Sequence, residues 1–168
     1  MKILSKVASA MILSTGLLMA SSYSVDNAHS NVGFTVKHMM VTNVHGKFTS
    51  YDAKVEFDDA TKTFKKLVAN IDTNSIDTGI EKRDNHLRSD DFFAVEKFPK
   101  MTFEMTSYKA DGDDGKMTGN LTIRGITKPV VLEVEDISVL GDKVGFSVEG
   151  KINRQDFDLK WNKAIELG

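Results

Sequence analysis

With no cysteine in the chain, the side chains best equipped for chemistry are four histidines, His29, His38, His45 and His86. Imidazole is then the commonest metal ligand left and the natural general base near neutral pH. Their spacing argues against a shared metal. His38 has the strand parity of Phe34 and Val36, His45 faces away from Val44 and Gly46, and His29 precedes the first clean strand. No metal site is expected, and His38 reads as a polar contact on an inward, apolar face. His29 and Ser30 are neighbours whose side chains point to opposite faces of a strand, which defeats a nucleophile–base pair. A Gly-x-Ser-x-Gly elbow, a phosphate loop and a dinucleotide fingerprint are all missing, so neither an enzyme nor a cofactor is expected. The densest polar cluster runs from Glu81 to Phe93. Its Arg83, His86 and Arg88 are suited to donate hydrogen bonds to an anionic or carbonyl head group. The same residues also suit a solvated helix with Asp84 paired to Arg88, and composition does not choose between the two.

Those residues need a scaffold, and 168 residues with 40% hydrophobic and 27% charged side chains suit one ordinary globular domain. Lys plus Arg number 22 against 24 Asp plus Glu, which leaves no positive excess for nucleic acid. The N-terminus reads as an address. Lys2 and Lys6 precede a stretch from Val7 to Ala20 that is apolar or small throughout, too short to span a bilayer, and the chain turns polar at Ser21. A cleavable signal peptide over residues 1–22 is expected, cut after Ser22 so that small Ala20 and Ser22 fill the recognition positions. The mature domain would be residues 23–168, soluble and periplasmic.

Seven runs alternate apolar and polar residues, among them Val32-Phe34-Val36-His38, Leu67-Ala69-Ile71, Met101-Phe103-Met105 and Val144-Phe146-Val148. Period two marks strands wet on one side, and the short connections exclude parallel winding. Asp111 to Gly115 and Gly141-Asp142 suit tight hairpins, and Pro129 suits a strand start or an edge. The parity change between Phe48 and Tyr51 predicts a bulge or sharp bend. One helix is expected at about 78–91, opened by a Thr78-x-x-Glu81 capping box, with Leu87 on its thin apolar stripe and Phe92 and Phe93 attaching it.

Six ordered blocks then become familiar: Tyr23 to Phe48, with Asp26, His29-Ser30, Phe34, Val36-Lys37-His38 and Val44-His45-Gly46-Lys47-Phe48; Asp72 to Ile76; Arg83 to Ser89 with Asp91-Phe92-Phe93; Phe98-Pro99; Gly119 to Gly125 with Thr127 to Val130; and Arg154-Gln155-Asp156-Phe157. Together they resemble the YceI-like family of exported bacterial proteins over residues 23 to 160. The resemblance implies an all-β, antiparallel, lipocalin-like barrel of about eight strands. Its interior would hold a long-chain isoprenoid or fatty lipid, often in a homodimer with transient membrane contact. Two departures stand out. Asp158 occupies a position where the family commonly has glycine, and the family commonly continues into one more strand past this block, so either the sequence stops early or the barrel lacks its closing strand.

On that reading Phe34, Val36, Phe48, Ile71, Leu87, Phe93, Phe103, Leu121, Ile123, Phe146 and Val148 line the channel, with His38 inside and Arg83 and His86 near the head group. Two other readings are compatible with the residues. One is a lipid hydrolase or isomerase using His38 or His86 as base, and the other a stress-protective partner binder whose barrel is packed solid.

Overall fold

The computed structural model describes residues 20–38 and 42–161. Its ten strands are β1 (Ser21–Ser24), β2 (Val32–His38), β3 (Thr42–Phe48), β4 (Tyr51–Asp58), β5 (Thr63–Asp72), β6 (Ile76–Asp77), β7 (Lys100–Asp111), β8 (Asp114–Ile123), β9 (Ile126–Leu140) and β10 (Lys143–Glu149). Helix α1 covers Glu81–Arg88, and short 3-10 turns cover Thr73–Ser75 and Arg154–Phe157. Seven strands pair antiparallel in the order β1-β4-β5-β7-β8-β9-β10 and curl into a nearly closed barrel. A ribbon of β2, β3 and β6 forms the second sheet. The two edge strands of the barrel sheet share one apolar cluster, on which Tyr23 of β1 and Val144 and Phe146 of β10 all pack.

The local chemistry explains most of this layout. Gly112 and Gly141 take φ of +65° and +64° in the β7–β8 and β9–β10 hairpins, values that L-residues adopt only at a cost. Pro129 lies in β9 beyond the stretch paired with β10, where the strand has β8 alone beside it and its missing N–H breaks no second ladder. Between Phe48 and Tyr51 the chain leaves the ribbon for the barrel sheet, and Ser75 holds the bend by accepting from the backbone N–H groups of Thr49 and Ser50. The expected bend is therefore a change of sheet.

The barrel has two different ends. At the hairpin end, where β4–β5, β7–β8 and β9–β10 turn, Phe57, Phe64, Met117 and Val134 are almost wholly buried. At the helix end, Phe48, Ile71 and Ile76 pack with Leu87 and Phe93, while Ile123, Phe157 and Leu159 form an adjoining cluster. Burial of Asp58 at the first turn is tolerated because its Oδ1 accepts the N–H groups of Thr61 and Ala60, both at 3.1 Å. Those donors, Thr61 first, hold its carboxyl below the usual carboxylate range, and Asp26, Asp90 and Asp158 are lowered by their own partners.

A carboxyl whose pKa is lower folded than unfolded stabilises the fold above the unfolded value, and that stability disappears as pH falls through the folded value. The thermal midpoint is thus expected to drop as pH falls below about 4. Asp58→Asn should lower the midpoint at neutral pH and make the acid drop shallower. An unchanged acid drop in melts run across pH would show that the Asp58 turn does not contribute to it.

The helix differs from expectation. It spans residues 81–88, not 78–91, and the capping box does not form. Ile80 is the N-cap and supplies no side-chain bond; Thr78 donates instead to buried Asp84, through N–H at 2.9 Å and Oγ1 at 2.5 Å. Gly79, at φ +79°, folds the chain back so that this contact is made. With its acceptor oxygen taken up by Thr78, Asp84 does not pair with Arg88. Arg88 donates instead to the carbonyls of Asn74 and Ile76 and to Asn85, stitching α1 to β6.

Candidate functional site

The inward face of the barrel and ribbon is the surface on which the expected lining residues converge. Phe34 and Phe48 meet at 5.7 Å between ring centroids, and Phe93 stands edge-on to Phe48 at 5.8 Å, with Ile71 and Leu87 in the same cluster. Ile123 packs beside Phe93 and Leu121. Phe103 joins Leu121 and Phe146 in the hairpin-end cluster. Two glycines make room for rings: a Cβ at Gly46 would lie 2.3 Å from Phe34 Cζ, and one at Gly119 would lie 2.3 Å from Phe103 Cζ. Each ring therefore lies flat across the neighbouring strand.

Other lining residues are uncovered. Val36 and Val148 keep 41% and 36% of their surface, and Ile152, which continues the parity of β10, keeps 38%. Val36 lies on β2 and Val148 on β10, strands that pair with β3 and β9 respectively and not with each other. His38 is the last residue of β2, opposite Thr42, and its side chain lies outside the described residues. Phe34, Leu121 and Phe146 are half-buried.

The head-group candidates sit at the helix end. Arg83 donates from Nε to Thr78 Oγ1 at 2.7 Å and from a terminal nitrogen to the Thr78 carbonyl at 2.8 Å, so part of its fork holds the loop before α1. His86 Nε2 lies 2.8 Å from Asp91 Oδ2. Its ring stands edge-on to Trp161 at 4.6 Å and to Phe92 at 5.1 Å, an aromatic setting that fixes the imidazole. Arg124, mostly buried, donates to the carbonyls of Asp90 and Phe92 and reaches Asp158 at 3.6 Å, binding the segment after α1 to the C-terminal turn. Among the described residues no group of three or more histidines and carboxylates is placed to hold a metal ion.

Three features escaped the sequence reading. Phe64 and Tyr108 turn inward although they fall off the parity of the runs beside them, and Trp161 covers His86. Register shifts at Glu56/Phe57 and Met105/Ser107 reverse the parity, so only a signal for bulges would have found the first two.

Residues 23–168 match the YceI-like domain profile. Protein YceI of Salmonella newport is 39% identical over 156 residues, which is 89% of this chain and 82% of that protein. The crystal structure of the Campylobacter jejuni YCEI protein is 45% identical, covers 86% of this chain and 89% of its own, and superposes with a TM-score of 0.70. Burkholderia cenocepacia BcnA is 28% identical, with coverage of 83% and 87% and a TM-score of 0.75. The match over residues 23–168, together with relatives 39% and 45% identical over most of both chains and a shared barrel, places this chain in the YceI-like family.

Proposed function

We propose that this protein binds one long-chain apolar molecule, a polyisoprenoid or a fatty lipid, along its inward apolar face, and carries or stores it in the periplasm. The observation that carries the reading is the partial exposure of Val36, Val148 and Ile152 on the same strand parity as the buried core. Apolar groups facing a barrel interior yet open to water gain from an apolar guest. Each CH₂ buried gains about 0.8 kcal/mol, so ten give on the order of 8 kcal/mol, equivalent to micromolar binding before ordering costs. A bilayer offers the tail nearly the same gain. Discrimination must therefore come from tail length, branching and head group. The apolar N-terminal stretch supports export.

Protein purified without detergent and analysed by native mass spectrometry is expected to carry a lipid adduct that organic solvent removes. Repeated preparations at the bare chain mass would overturn the reading. The same spectra report association of two chains, which the outer edge of β10 invites, since β10 pairs only with β9 among the described residues.

A further inference from the structure

The two ends of the barrel are unequal in a way that bears on which lipids fit. Phe64 of β5 lies 4.9 Å, centroid to centroid, from Phe146 of β10, 4.9 Å from Phe57 and 5.0 Å from Tyr108, always edge to face. In the sheet order β5 and β10 are separated by β7, β8 and β9, so the Phe64–Phe146 contact crosses the lumen from wall to wall. A contact at that separation leaves no passage for an alkyl chain between the two rings. Gly115 makes the arrangement possible on a third side. A Cβ there would fall 2.2 Å from Tyr108 Oη, so the bare backbone lets the tyrosine lie across β8 and donate to the Asp114 carbonyl at 3.2 Å.

Two polar groups at this end are held by partners within the fold. Asp58 accepts from its own turn, and Tyr23 donates to Asp59. The opposite end gathers Arg83, Arg88, Arg124 and His86. The aromatic contact closes the hairpin end, so the tip of the tail belongs against it and the head group toward the opposite end.

We infer that Phe64, Phe146 and Tyr108 form a floor across the barrel that sets the longest tail the protein accepts. This rests on the proposed lipid-binding function and deepens it from an apolar cleft to a blind one that measures length. Phe146 is the adjustable element, since it is half-buried on an edge strand whereas Phe64 is 2% exposed. Trimming Phe146 deepens the cleft. Enlarging Val148, two residues along the same inward face, makes it shallower.

The test loads wild type, Phe146→Ala, Phe146→Leu and Val148→Phe with geraniol, farnesol, geranylgeraniol or solanesol from cyclodextrin, separates protein from free prenol by gel filtration, and quantifies retention by mass spectrometry. The first prenol too long for the wild type should be retained about tenfold better by Phe146→Ala, less so by Phe146→Leu. Val148→Phe should move the limit to a shorter prenol. Should Phe146→Ala fail to fold, Phe146→Leu and Val148→Phe give the two opposite shifts. Identical length profiles in the folded variants and the wild type would overturn the floor and leave lipid binding standing. A wild type that retains no prenol of any length would overturn both.

Discussion

Phe64→Ala is expected to lower the unfolding free energy by about 4 kcal/mol, the upper part of the range for large-to-small changes at fully packed sites. Phe64 is 2% exposed and three aromatic rings stand edge-on around it, so truncation removes the transfer free energy of the ring, three ring contacts and the support of their lining. Collapse cannot recover much of this. Phe57 and Tyr108 are fixed on neighbouring ladders, and Tyr108 is further held over Gly115. Phe146→Ala removes a similar ring from a half-buried place on an edge strand, where about half the loss is expected. Urea unfolding followed by tryptophan fluorescence and circular dichroism measures both. A Phe64→Ala cost below about 1 kcal/mol would mean that the hairpin end is loosely filled and blocks nothing.

Period two revealed the walls of the barrel because each strand keeps one face dry, and that alternation survives wherever the ladder is regular. It placed Phe34, Phe48, Ile71, Phe103, Leu121, Ile123 and Phe146 on faces of one sense. It faltered at bulges. Asp136, at φ +58°, inserts an extra residue in β9 opposite Gly145 and Ser147, so Ile137 is buried after Val134 instead of continuing its parity. The helix boundary failed for a different reason. Thr78 and Glu81 have the spacing of a capping box, but Asp84, one helical step later, is buried and takes the donors first. Spacing cannot report which of two carboxylates is desolvated.

The departure at Asp158 is explained by backbone geometry. The residue closes the Arg154–Phe157 turn at φ +60°, ψ +22°, where glycine carries no steric penalty and aspartate is one of the few side chains that tolerates the strain. Its carboxylate is used there, against Lys160 at 2.8 Å and Arg124 at 3.6 Å. The interior itself was the least legible feature. Parity is the same for a filled barrel and a hollow one, and only partner distances separate the packed hairpin end from the uncovered Val36 and Val148.

Asp84→Ala is expected to cost about 3 kcal/mol and to loosen the helix end of the cleft. The Asp84 carboxylate, 6% exposed, accepts two bonds from Thr78, and Thr78 in turn accepts from Arg83 Nε while its carbonyl takes a second Arg83 donor. Removing the acceptor strands the Thr78 N–H in a partly buried site, and hydrogen bonds to a charged group are worth roughly 1.5–3 kcal/mol each, less than additive when they share an atom. Asp84→Asn keeps an acceptor oxygen in place and should cost about 1 kcal/mol. The difference between the two separates the loss of hydrogen bonds from the loss of charge. Because Leu87 and Phe93 cover Phe48 and Ile71 from this side, release of α1 uncovers the apolar cluster at the helix end. Hydrogen exchange over residues 76–93 should therefore quicken in Asp84→Ala far more than over β8, and a bound prenol should dissociate faster. Equal stability and equal exchange in the Ala and Asn variants would show that Asp84 does not hold α1 against the barrel.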